Sequence, residues 1–177
     1  MPLPRVCRRR AASPQRPIGR GPDSSHQRAS VSLRSVNLAP DFELQDQHGT
    51  PVRLSDFRGR KVVLVFYPLA FSGVCQSELS ALRGFPADAA VLTVSVDSLF
   101  THRAWADQEG YSFPLLSDFW PHGQVARAYG VFDESKGVAS RGTFIIDGEG
   151  VIRWSVVNPA GEARDVADYI KALADIA

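Results

Sequence analysis

The stretch from Lys61 to Cys75 constrains this chain more than any other. Val62 to Tyr67 is an unbroken run of β-branched, aliphatic and aromatic residues, the length and composition of a strand buried on both faces. Pro68 then fixes φ and removes a ladder donor, so the strand has to turn there. A helix is predicted over Gly73 to Arg83, with Ser72 as N-cap and Val74, Leu79 and Leu82 as its apolar positions. Cys75 therefore falls in a first helical turn, where unpaired N–H groups and the helix dipole favour negative charge on a thiol.

Around this unit the pattern is one of alternating strands and helices. Phe42–Leu44 and Val52–Leu54 alternate apolar and polar about His48-Gly49, as a small hairpin or edge pair does. Ala89–Val96 reads as a second core strand and Leu115–Asp118 as a short one. Helices are predicted over Thr101–Glu109, ended by Gly110, and over His122–Tyr129, ended by Gly130. Gly142–Asp147 and Val151–Val156 flank Gly148-Glu149-Gly150 as a hairpin. Glu162–Ile176 closes the chain as a helix carrying Val166, Tyr169, Ile170 and Leu173 at helical spacing. This order implies an α/β domain, a central mixed β-sheet flanked by helices on both faces, in a thioredoxin-like layout.

Charge divides the chain in two. The first 34 residues carry eight arginines against one acid, Asp23, a local charge of +7 that leaves −6 for the remainder of the 177 residues. Residues 1–35 are predicted to be a disordered basic extension, and 36–177 the folded domain. The extension reads first as a dispensable tail or the product of an early start site. An organelle-targeting peptide and an arm for an acidic partner through Arg8-Arg9-Arg10 are the other readings. The mildly acidic domain argues against nucleic-acid chemistry, and no apolar run approaches a membrane span. The two cysteines, Cys7 and Cys75, lie too far apart for a disulfide framework, which points to a reducing, cytoplasmic setting.

A lone cysteine is most often a small buried hydrophobe. Here Pro68 turns the chain, Ser72 offers a hydroxyl three residues before the thiol, and Gly73 permits close backbone approach. Together they build a donor-lined pocket about a sulfur. Histidines 26, 48, 102 and 122 are not clustered at ligand spacing, so no metal site is expected. Val74 and Gln76–Glu78 supply no second sulfur for a thioredoxin-type dithiol. Glu78, about one turn after Cys75, is open to two readings: a carboxylate that orients a distant cation, or part of a solvated helix face.

Phe66-Tyr67-Pro68-Leu69-Ala70-Phe71-Ser72-Gly73-Val74-Cys75 resembles the Pro-x-x-x-Thr/Ser-x-x-Cys motif of the peroxiredoxin family. Arg141-Gly142-Thr143-Phe144-Ile145-Ile146-Asp147 resembles the strand that carries the family's active-site arginine. Ala39-Pro40-Asp41-Phe42 and Phe113-Pro114-Leu115-Leu116-Ser117-Asp118 are similar to family segments too. Residues 67–71 and 117–123 give a local likeness to the AhpE-type one-cysteine peroxiredoxins of actinobacteria. The resemblance implies that Cys75 is the peroxidatic thiolate, attacking a hydroperoxide and becoming sulfenic acid. It implies that Arg141 favours the thiolate and steadies the transition-state oxygens, that Ser72 bonds the sulfur or the peroxide, and that Pro68 shields the sulfur from water. It also implies Glu78 as support for Arg141, no cofactor, and a homodimer. Phe71 and Trp120 are expected at the mouth of the site, with Trp120 and His122 as packing and loop residues rather than catalysts.

No cysteine follows Cys75, and position 80, a second cysteine in some relatives, is Ser80. The expected cycle is therefore a one-cysteine peroxidase cycle. Its reductant would be an external thiol or a glutaredoxin-like protein, such as the mycothiol and mycoredoxin of the actinobacterial branch, or thioredoxin. A peroxide-sensing relay without multiple turnover is the alternative, and a binding module with an inert cysteine is a third reading.

Overall fold

Alternation along one strand decides which side of the molecule each residue occupies. In β3 (Lys61–Phe66), Val62, Leu64 and Phe66 enter one hydrophobic cluster, while Val63, Val65 and the following Tyr67 enter another. All are essentially fully buried, which is why the run reads as continuously apolar. The computed structural model describes residues 37–176 apart from residue 87; the predicted basic extension and Cys7 lie outside the described residues.

The other strands are β1 (Glu43–Gln45), β2 (Pro51–Arg53), β4 (Ala89–Ser95), β5 (Leu115–Ser117), β6 (Phe132–Asp133), β7 (Val138–Ala139), β8 (Arg141–Ile146) and β9 (Ile152–Asn158). The helices are α1 (Gly73–Ala81), α2 (Leu99–Glu109), α3 (Gln124–Ala128) and α4 (Val166–Ala174), with a 3-10 turn at Leu54–Phe57. Seven strands form one sheet in the order β2-β1-β5-β4-β3-β8-β9. β3, β4 and β5 run parallel, whereas β8, β9, β1 and β2 join antiparallel. One cluster packs the sheet against Val125, Ala126 and Tyr129 in and beside α3; the other packs it against α1, α2 and α4 through Leu79, Trp105, Tyr169 and Leu173. This is the mixed sheet between helices that the sequence pattern implies, in a thioredoxin-like fold.

Differences from expectation lie at element ends. α1 stops at Ala81 rather than Arg83, because Leu82 and Arg83 donate to Leu79 O and Ser80 O in a tightened last turn. The closing helix starts at Val166, not Glu162: Asp165 caps it by accepting from Ala167 N at 2.9 Å. Ile170 is half-exposed, and Ala172 takes the buried position instead. α3 begins at Gln124, since Gly123 is left-handed (φ 68) and His122 Nε2 donates to Gly137 O at 2.7 Å. The β6–β7 hairpin was not anticipated; its two-residue strands are too short to show a period.

Candidate active site

Cys75 is the third residue of α1 and is fully buried as a free thiol. The first intrahelical bond runs from Gln76 N to Ser72 O (2.9 Å), so the N–H groups of Gly73, Val74 and Cys75 have no acceptor within the helix. A Cβ added to Gly73 would meet nothing within 4 Å. The glycine is thus not required by the protein's own packing.

Arg141 opens β8 and reaches the sulfur from a neighbouring strand. Its Nη1 lies 3.4 Å from Cys75 Sγ and donates to Glu78 Oε2 at 2.5 Å, while Nε donates to Ala160 O at 2.7 Å. Gly142 beside it permits a tight approach, since a Cβ there would fall 2.7 Å from Val131 Cγ1. Glu78 is buried and bonded to Arg141, which decides between its two readings: it does not lie on a solvated face.

The sequence reasoning missed Arg164, which completes this cluster. Its backbone N and Nε donate to Glu78 Oε1 (2.7 and 3.1 Å), and Nη2 donates to Oε2 (2.9 Å). Nη1 donates to Phe66 O, Gly142 O and Thr143 Oγ1 at 2.9, 2.7 and 3.0 Å. Thr143 Oγ1 in turn donates to Tyr169 Oη at 2.9 Å. Burial pushes the Glu78 carboxyl up, but the hydrogen bonds and charge of Arg164, with the charge of Arg141, outweigh it and hold the group below the usual carboxylate range. The one signal that could have found Arg164 is the helix cap. Reading Asp165 as the N-cap leaves Arg164 outside the helix, on the loop that returns toward β8.

The loop between β3 and α1 holds the remaining expected residues. Pro68 is buried. Ser72 occupies the N-cap position, but its hydroxyl donates to Leu69 O (3.2 Å), neither capping α1 nor bonding Sγ; the single proton is committed within the loop. Phe71 has φ 61, left-handed backbone for a bulky residue, which costs about 1–3 kcal/mol and persists only where surroundings enforce it. Its ring is half-exposed and lies 5.8 Å from the Trp105 ring. Trp120 is 81% exposed and lines a groove of about 520 Å³ with Leu44, Phe100 and Phe119.

A second buried polar network flanks the same loop. His102 Nδ1 donates to Leu115 O at 3.1 Å, which makes Nε2 the acceptor for the Tyr67 hydroxyl at 3.0 Å. Ser95 Oγ sits 2.8 Å from Nε2 and donates to Asp97 Oδ2 at 2.7 Å. Asp97 Oδ2 also accepts from Ala70 N at 2.8 Å. Burial pushes His102 down to about 4, against the opposing pull of Asp97, and pushes the Tyr67 phenol well above its ordinary value. The imidazole is therefore neutral at pH 7.

Among the described residues no group of three or more His, Cys, Asp or Glu side chains is placed to hold a metal ion, and no helix is long and apolar enough to cross a membrane. The profile of the AhpC/TSA family matches residues 36–155. The chain is 52% identical over 142 residues to alkyl hydroperoxide reductase E of Mycobacterium tuberculosis, covering 77% of this chain and 93% of that protein. It is 42% identical over 156 residues to peroxiredoxin-2 of Pongo abelii, covering 78% and 87%. The crystal structure of AhpC from Enterococcus faecalis superposes with a TM-score of 0.69 at 35% identity, over 78% of this chain and 89% of that one. Peroxidoxin BcpB from Mycobacterium tuberculosis gives 0.70 at 30%, over 79% and 96%. With a buried thiol at a helix start, an arginine against its sulfur and these likenesses across most of the domain, the chain belongs to the AhpC/TSA family of peroxiredoxins.

Proposed function

We propose that this peroxiredoxin reduces hydrogen peroxide and organic hydroperoxides through Cys75, in a one-cysteine cycle closed by an external thiol. The observation that carries the reading is Arg141 Nη1 at 3.4 Å from a buried sulfur whose helix turn presents unpaired N–H groups. The Cys75 thiolate attacks the terminal peroxide oxygen; the S–O bond forms as the O–O bond breaks, and the leaving oxygen takes a proton to depart as water or an alcohol. Arg141 and the N–H groups of the first turn stabilise the charge that shifts along the O–O bond. Glu78 holds Arg141 in place, Pro68 keeps bulk water from the sulfur, and Ser72 turns its hydroxyl from Leu69 O to the bound peroxide. An inert cysteine would have no use for an arginine pinned beside it by a buried carboxylate.

An external thiol then condenses with the sulfenic acid, releasing water and forming a mixed disulfide, which a second thiol resolves. That reductant is mycothiol with a mycoredoxin-like protein, or a thioredoxin-like protein, in the cytoplasm. The working form is a homodimer; the groove around Phe100, Phe119 and Trp120 is an apolar surface that self-association would cover. Stopped-flow peroxide decay tests the core of this reading. Cys75→Ser is expected to abolish peroxide consumption and Cys7→Ser to leave it unchanged. Full activity in the Cys75 variant would end it, and single oxidation without turnover under every reductant would favour a relay instead.

A further inference from the structure

We propose that Asp97 is a positioning residue for the peroxide step, holding residues 68–72 in the arrangement in which Cys75 reacts. This rests on the reading of Cys75 as the peroxidatic thiol. The loop has to deliver Pro68 and Ser72 to the sulfur and then enter α1 through a left-handed Phe71. Among the described residues, Asp97 is the one side chain outside the loop that hydrogen-bonds the backbone of residues 68–71, through Ala70 N to Oδ2 at 2.8 Å. That bond falls immediately before the strained residue, where it fixes the direction in which the chain turns.

Asp97 is itself clamped. Its N–H donates to Ser95 Oγ (3.2 Å), its carbonyl accepts from Ser117 Oγ (2.7 Å), and its Oδ2 accepts the Ser95 hydroxyl (2.7 Å). Ser95 can give its proton to Asp97 because His102 Nε2 is served by Tyr67, and His102 is anchored to Leu115 O on β5. A line of bonds thus runs from β5 through α2 and β4 to the loop: Leu115, His102 and Ser95 are placed by regular structure, and Asp97, two residues past β4, is held by its bonds to Ser95 and Ser117. Asp97 bonds neither the sulfur nor Arg141, so its effect on the reaction passes through the loop. A displacement of about 1 Å at a reacting centre is enough to cost on the order of 10²-fold in rate.

Three variants of the full chain, Asp97→Ala, Asp97→Asn and Cys75→Ser, are compared by two readouts: the second-order rate constant for hydrogen peroxide by stopped flow, and the rate of Cys75 alkylation by iodoacetamide. Alkylation needs a reachable thiolate but no oriented peroxide. Asp97→Ala is expected to lose on the order of 10²-fold with peroxide while alkylation holds, and Asp97→Asn, which keeps an acceptor oxygen, to recover most of the loss. An unchanged peroxide rate in Asp97→Ala, an equal fall in both readouts, or no recovery with asparagine would overturn the proposal. If Asp97→Ala does not fold, Ser95→Ala frees the same carboxylate to rotate: a selective fall with peroxide supports the proposal and an unchanged rate overturns it. Activity surviving Cys75→Ser would instead overturn the assignment of the peroxidatic thiol.

Discussion

β3 lies between β8 and β4 in the sheet, and each neighbour brings a buried polar cluster to the junction that follows it. On the β8 side, Arg141, Glu78 and Arg164 are all charged, two cations to one anion. On the β4 side, His102, Tyr67 and Ser95 are neutral, and the one charge, Asp97, sits where its side chain retains 14% exposure. Both clusters are saturated with hydrogen bonds: among the described residues no buried side-chain nitrogen or oxygen lacks a partner. The difference follows what each cluster faces. The charged one leaves a net positive charge next to the sulfur, which would favour the thiolate proposed there. The other meets the loop backbone through Asp97, whose carboxylate is compensated by the Ala70 N–H and the Ser95 hydroxyl while the groups behind it stay neutral.

Within the charged cluster the two arginines divide the work, and removing Arg164 has the largest expected consequence. Arg164→Met would strip Glu78 of two side-chain donors and take the Arg164 Nη1 donor from Phe66 O, Gly142 O and Thr143 Oγ1. A loss of about 3–5 kcal/mol in unfolding free energy is expected, read by urea denaturation. Arg141→Gln should do the reverse. Glu78 keeps Arg164, so the fold persists, while the peroxide rate constant falls about 10²–10³-fold. Equal stability losses in the two variants would erase the distinction between a clamp and a reacting cation.

What the sequence made legible follows the same division. Pro68 and Cys75 lie on one strand–turn–helix unit, where spacing places them; Glu78 on the same helix is open to two readings, and Arg141, next to the strand expected over Gly142–Asp147, stands out only through the resemblance to the family. Arg164 was illegible because the helix expected from Glu162 put it among the charged residues of a first turn, and only the tertiary return of the loop before Val166 buries it. His102 left a trace that was passed over. With Trp105 and Ala106 at i+3 and i+4, it sits on the apolar face of α2, where a histidine must find buried partners. The Ser72 hydroxyl points the other way: the motif gives the residue its place but not the acceptor its proton chooses.

Acid should separate the two clusters. An unfolded histidine gains its proton near pH 6.5, but folded His102, facing Tyr67, Ser95, Asp97 and the Leu115 carbonyl, resists protonation down to about 4. Between those values the unfolded state binds the extra proton, so stability rises with pH and is lost as pH falls from about 6.5 toward 4. The full loss is at most about 3 kcal/mol and is spread across that window. Glu78 behaves differently. Held below the usual carboxylate range, it keeps its contribution until the pH drops beneath the unfolded value of about 4.5 and loses it as the folded group protonates. Asp118, whose carboxyl burial pushes up, is common to both proteins, so the difference between urea denaturation of the native protein and of His102→Gln at intervals from pH 7 to pH 5 isolates His102. The native curve should decline while the variant, with no ionisable group at 102, stays flatter; parallel curves would mean that the neutrality of His102 contributes nothing to holding the junction.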